Sequence, residues 1–255
     1  MHDIILFLVG IIVGAMNAIA GGGMLIGFPV LLASGLSALS ATASSSVIVL
    51  PGQFSSAVGY RKYLKTVPAN YLLLAIPCVI GGAIGAEILR RTPSKHFQEI
   101  VPALILFAVV LFAFQPLLHA QIKRHLHGSK QLRRKVRPLF VIGLATLPLS
   151  IYGGYFGPGF GFIMLALLGF SKLHQVHQIN AMKNVMAVCI ASASLVVLST
   201  SGLINWRYAL AMGLGNTVGG YAGAVSAQKV SSHSLRILVI IIGVGTAAYL
   251  GFRNY

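Results

Sequence analysis

Apolar residues run along this chain in long unbroken blocks, and polar residues collect in the gaps between them. In the first half the blocks fall at 4–20, 24–35, 40–60, 70–89 and 97–118. In the second half they fall at 138–151, 162–170, 180–199, 208–227 and 234–251. Continuous runs, rather than alternation, predict helices and not the strands of a barrel. A run of about 20 residues matches the hydrocarbon thickness of a bilayer. The blocks at 24–35 and 162–170 cover only about half of it. Pro51 predicts an interruption of the third block.

Each short block follows a glycine run. The first is Asn17-Ala18-Ile19-Ala20-Gly21-Gly22-Gly23, and the second is Gly153-Gly154-Tyr155-Phe156-Gly157-Pro158-Gly159-Phe160-Gly161. Glycine costs about 1 kcal/mol relative to alanine inside a helix. Irregular backbone at membrane depth survives only where protein or a water-filled cavity satisfies its polar groups. Both runs therefore predict a broken helix, either hairpin or kinked span, that lines a cavity. Gly81, Gly82 and Gly85 predict close helix contact within lipid.

The two halves superimpose at a constant offset of 138 residues. Gly21 and Gly23 fall on Gly159 and Gly161; Gly81, Gly82, Gly85 and Ala86 fall on Gly219, Gly220, Gly223 and Ala224. Agreement at one offset over about 65 residues marks an internal duplication. The predicted organisation is a first membrane repeat at 1–118, a linker at 119–137 and a second repeat at 138–255. Each repeat holds one glycine break and about three further spans. If the breaks are hairpins, each half crosses an odd number of times and the halves are inverted, as in many secondary transporters. If they are kinked spans, the halves are parallel. Lysine and arginine place the linker in the cytoplasm in both cases. The inverted arrangement is preferred because it turns both breaks toward one site.

Composition strengthens the membrane assignment. The chain has 255 residues, 56% hydrophobic and 9% charged, with mean hydropathy +0.86. Soluble domains carry about 25% charged residues. The formal charge of +16 comes from basic residues in the gaps, which orientation explains without nucleic acid. The linker holds Lys123, Arg124, Lys130, Arg133, Arg134, Lys135 and Arg137 with no acid; it reads first as a solvated orientation signal, with binding to anionic headgroups as the alternative. Met1-His2-Asp3 lacks the basic start of a signal peptide, so the first block stays as a span. Cys78 and Cys189 read as small buried hydrophobes. His174 with His177, and His125 with His127, read as loop histidines, since no acid or thiol accompanies them. No catalytic triad, phosphate loop or metal-ligand spacing appears. An enzyme, a cofactor and a metal site are not expected.

Lys183 stands alone among the basic residues in lying deep inside an apolar block. A charge at mid-span costs about 2.5–3.5 kcal/mol on insertion scales, so it should face a cavity or a partner. Asn180, Lys183 and Asn184 share one helix face. Their counterparts at the 138 offset, Thr42, Ser45 and Ser46, share another, and Gln53 continues it three turns on. Helix starts after Gly23 and Gly161 would offer backbone N–H groups to an anion. Asn17 and its counterpart Tyr155, with Tyr152 nearby, either bond a substrate oxygen or cap loose backbone. Asn216 and Thr217 read as interhelical hydrogen-bonding groups. Glu87 reads as the local ion-pair partner of Arg90 and Arg91.

The two glycine stretches, with Asn180-Ala181-Met182-Lys183-Asn184-Val185, resemble the TauE/SafE sulfite exporter family of membrane permeases, also called TSUP. The likeness covers nearly the whole chain. It implies an inner-membrane permease of a bacterium or archaeon, for sulfite, sulfonates, thiosulfate or related anions. Asn17, Gly21, Gly22 and Gly23 match the first motif, and Gly157, Gly159 and Gly161 the second. Asn180, Lys183 and Asn184 match the polar helix of the second half. Phe160 stands where the family often has glycine, and Ser44-Ser45-Ser46 where many relatives carry Asn or Lys.

The expectation is an all-α, polytopic membrane protein moving a small sulfur-containing anion by alternating access, with the lipid bilayer as its surroundings and room for a homodimer. A passive anion channel and a non-transporting membrane scaffold are the alternatives.

Overall fold

The computed structural model describes residues 2–19, 21–114, 139–171, 173, 175–226, 244–248 and 250. The basic linker at 119–137 lies outside them, as do His125, His127, His174 and most of the block at 234–251. Among the described residues the protein is all helical. The elements are α1 (His2–Ile19), α2 (Met24–Ala33), α3 (Ala38–Gly59), the short α4 (Arg61–Leu64), a 3-10 turn (Ala69–Leu74) and α5 (Ala75–Arg91). They continue with α6 (Ser94–Ala113), α7 (Leu139–Tyr155), α8 (Phe160–Gly169), α9 (Val176–Leu198) and α10 (Trp206–Ser226). His2–Ile19, Ala69–Arg91, Ser94–Leu111 and Val176–Leu198 are long and apolar enough to cross a bilayer.

Outward faces confirm the solvent. Ile76, Ile80, Ile84 and Ile88 repeat every four residues along α5 and are exposed. Leu210, Leu214 and Val218 do the same on α10. Such stripes would be unstable against water and suit lipid tails.

Lipid supplies no hydrophobic drive between helices, so contact depends on close packing. Glycine provides it. Gly10 of α1 lies against Met212 and Asn216 of α10, Gly14 against Asn216 and Gly220, and Gly223 against Ala15. Asp3 pairs with Arg207 at 2.9 Å at one end of this contact. The register fixes α1 and α10 as parallel neighbours. α3 joins them in the same direction: Ser40 Oγ donates to the Leu203 carbonyl at 2.7 Å and Ser55 Oγ to that of Thr217 at 2.8 Å, while Gly59 lies against Ala224.

A second trio runs the other way. Gly81 of α5 lies against Leu147 and Ser150 of α7, and Gly85 against Ile151 and Tyr155, so these two helices are parallel. Gln178 Nε2 at the start of α9 donates to Thr66 Oγ1 ahead of α5, at 2.8 Å, and Ser194 Oγ further along donates to Gly82 at 3.2 Å. α9 starts beside the end of α3, where His177 and Tyr60 are neighbours. It ends at Leu198, just before the turn that bonds Ser40 and Ser44 at the start of α3. Thus α1, α3 and α10 point one way and α5, α7 and α9 the other.

Four sequence expectations change. α3 runs through Pro51 without stopping. Asn216 Nδ2 of α10 donates to the Ile48 carbonyl at 2.8 Å, in the turn ahead of the proline. The second break starts later than its first glycines suggest, because α7 continues through Gly153 and Gly154 to Tyr155. His177 lies in the first turn of α9 and not in a loop, its ring stacked on Tyr63 at 4.6 Å. Other expectations hold: Asn216 bonds between helices, and Glu87 accepts from Arg90 at 2.7 Å and Arg91 at 2.5 Å. Thr217 instead bonds Gly213 within its own helix at 2.9 Å. Cys78 and Cys189 are free thiols, the first fully buried.

Candidate functional site

Two chain breaks meet inside the bundle. Asn17 shapes the first: its Oδ1 accepts the Gly23 N–H at 2.8 Å, bridging α1 to the start of α2, and Gly21 makes the turn at φ 94°. Only glycine enters that region of backbone space at little cost. In the second break Gly157 and Gly159 turn at φ 88° and 85°, and the Tyr152 hydroxyl donates to the Pro158 carbonyl at 2.5 Å. Both side chains therefore cap loose backbone. The tips then touch: a methyl added to Gly161 would sit 2.5 Å from the Gly21 Cα, and one added to Gly21 would sit 2.7 Å from the Gly161 Cα.

Lys183 reaches this junction from α9. It is 0% exposed, and its Nζ donates to the Asn17 carbonyl at 2.7 Å and the Ala18 carbonyl at 3.4 Å. These are carbonyls at the C-terminal end of α1, where the helix dipole is negative. An ammonium group carries three donors, so the two carbonyls do not exhaust it. Asp3 and Glu87 are engaged with arginines elsewhere, and no carboxylate pairs with Lys183 among the described residues. The lysine is buried and does not snorkel to the membrane surface.

A cavity opens beside the ammonium, with about 60 Å³ available to the centres of water-sized spheres. One water requires about 10–15 Å³ on that measure, so several waters or one small oxyanion fit. Of the residues singled out from sequence, Asn17, Gly21, Ser45, Ser46, Gln53, Gly157, Gly161 and Lys183 line it. The others lie elsewhere. Gly22 is buried within the first turn, and Gly23 is held by Asn17. Gly159 sits against Ala108 of α6. Tyr155 packs edge to face with Phe97, ring centroids 5.7 Å apart. Asn180 and Asn184 are buried, with Asn180 Oδ1 and both polar atoms of Asn184 unpartnered.

Met24, Val49, Gly153, Pro158, Phe160, Ala187, Ile190, Ala191 and Ser194 complete the lining. Part of this set was readable. Steps of four, seven and eleven from Lys183 give Ala187, Ile190 and Ser194, the same arithmetic that links Thr42 to Gln53. The apolar share leaves specificity to a few polar groups, as is usual for small-molecule sites.

A polytopic helical bundle whose half-length helices and buried cation converge on one cavity has the architecture of a membrane transporter. The chain belongs to the sulfite exporter TauE/SafE family, whose pattern it matches over residues 6–250. It is 28% identical over 243 residues to a probable membrane transporter protein of Haemophilus influenzae, covering 93% of this chain and 90% of that one. It is 26% identical over 248 residues to the probable membrane transporter protein ORF9 of a Sinorhizobium species, at 96% and 90% coverage. It is 24% identical over 259 residues to the probable membrane transporter protein YfcA of Escherichia coli, at 98% and 90%. No solved structure matches the chain.

Proposed function

We propose that the protein is a secondary transporter for a small sulfur-containing oxyanion such as sulfite, with the central cavity as its binding site. The buried Lys183 ammonium carries this reading, since it borders the cavity and is held by carbonyls instead of a carboxylate. An oxyanion in the cavity offers it a full negative charge in a low-dielectric setting. Ser46, Gln53 and Asn17 line the same cavity and can hydrogen-bond the remaining oxygens. The choice of sulfur chemistry follows the family name.

Alternating access suits the two opposed trios. We read 1–118 and 138–255 as inverted repeats, with α1, α3 and α5 corresponding to α7, α9 and α10 at the 138 offset. The protein would sit in the inner membrane with the linker at 119–137 and the end carrying Arg61, Lys62 and Lys65 in the cytoplasm.

Purified protein reconstituted into liposomes tests the reading. Sulfite, thiosulfate, sulfate and taurine are supplied against an imposed proton or anion gradient. Accumulation of one of them against its own gradient is the expected outcome and excludes a passive channel. Absence of flux and of binding for all four would remove the proposal.

A further inference from the structure

We propose that the seam between α3 and α9, on the Tyr60 side of the cavity, is the hydrated route between the cavity and that face of the membrane, and that Tyr60 against His177 holds it shut. This deepens the transporter reading and rests on it.

Buried polar atoms without a hydrogen-bond partner concentrate here. On α3 and its cap they are Gln53 Oε1 and the Tyr60 hydroxyl; on α9 they are His177 Nδ1, Asn180 Oδ1 and both amide atoms of Asn184. Gln53 is 5% exposed, Tyr60 1%, Asn180 4% and Asn184 0%. Gln53 and Tyr60 are two turns apart on one side of their helix. His177, Asn180 and Asn184 follow at i, i+3 and i+7 on one side of theirs. Because α3 and α9 run in opposite directions with Tyr60 beside His177, Gln53 falls toward the Asn184 end. Gln53 lines the cavity, so the seam leads from it to the surface.

Buried polar groups in native proteins are almost always satisfied, by protein or by water. A row of unsatisfied ones on two facing stripes therefore marks a place that water or a polar solute occupies. The opposite end of the same helices differs. There Thr42 Oγ1 donates to the Ala38 carbonyl at 2.9 Å, Ser45 Oγ to that of Thr42 at 2.7 Å, and Ser194 Oγ to that of Gly82 at 3.2 Å. The remaining orphans, Asp3 Oδ1, Ser150 Oγ and Asn216 Oδ1, are scattered over other helices.

The chemistry suits passage better than capture. Carboxamides turn N–H donors to an anion and carbonyls to its water, without the fixed charge that would trap it. The mouth of the seam carries exposed Arg61, Lys62 and Lys65, which have no carboxylate partner among the described residues and concentrate anions there. Across it lie three rings: His177 stacks on Tyr63 at 4.6 Å and lies 6.2 Å from Tyr60. Alternating access needs this face closed whenever the other is open, and these rings are the closure.

Cysteine accessibility tests the route apart from transport. Asn184→Cys and Asn180→Cys are placed singly in a Cys78→Ala, Cys189→Ala background, and sealed vesicles of each orientation are treated with an anionic, membrane-impermeant methanethiosulfonate. Both positions are expected to be modified from the Tyr60 face alone, and Tyr60→Ala to speed modification at least tenfold. Ser150→Cys, an orphan away from the seam, is expected to stay unmodified. If Asn184→Cys does not fold, Asn180→Cys carries the same test. No modification in a protein that still transports overturns the route, and so does modification only from the opposite face. Modification from the Tyr60 face in a background protein with no flux supports a hydrated seam and overturns the transporter reading instead.

Discussion

Lys183 gathers the chemistry at the residue scale. Its isolation in an apolar block was visible in the sequence, because a lone charge in lipid has few explanations. Its partner was not visible. The Asn17 and Ala18 carbonyls belong to backbone more than 160 residues away in sequence, and no residue type marks a carbonyl freed by a helix end. For the same reason Asn180 and Asn184, on the expected face, stand apart from the cavity lining: one helix face spans more than one neighbour. Lys183→Met is expected to abolish anion binding while the protein stays folded. The methionine leaves the carbonyls unpaired, at about 1–3 kcal/mol, but also removes the cost of a buried charge. Calorimetric titration together with a detergent melting curve checks both parts. Asn17 separates its two roles by substitution. Asn17→Asp keeps an acceptor for Gly23 but sets a carboxylate beside Lys183, so anion affinity should fall with little change in melting. Asn17→Ala loses the acceptor and should lower stability by about 1–3 kcal/mol.

Among the elements, the glycine-interrupted helices were the most legible part of the fold. Three adjacent glycines in an apolar run have a direct physical reading, and α1 and α2 follow it within a residue or two. The second break was placed too early because helix propensity alone cannot tell Gly153, which stays helical against Phe160, from Gly157, which turns. Pro51 misled for a related reason: whether a proline ends a helix depends on the packing around it, and α3 continues through it. The close contacts give an internal control for mutagenesis. Gly161→Ala drives a methyl into the Gly21 backbone and is expected to cost about 1–3 kcal/mol as overpacking, or to prevent folding. Gly143→Ala, whose methyl would meet only Leu74 Cδ2 at 3.5 Å, is expected to be neutral or slightly stabilising. Thermal unfolding followed by size-exclusion fluorescence distinguishes them.

For the whole molecule, the opposed trios make a statement about sidedness. Asp3 with Arg207 lies at one end of the bundle, and Arg61, Lys62 and Lys65 at the other. Lys62→Cys and Arg207→Cys, in the cysteine-free background, are expected to react with impermeant reagents from opposite faces, Lys62→Cys from the cytoplasmic one. Block lengths and loop charges made a multi-pass bundle readable from sequence. Which helix touches which was not, because glycine contacts such as Gly85 with Ile151 are set by shape and carry no charge or pattern to pair them.

The contact between Gly21 and Gly161 carries a last consequence. Peptide bears directly on peptide there, with no cushion of side chains to absorb a shift. A displacement of either break would be passed to the other through backbone alone.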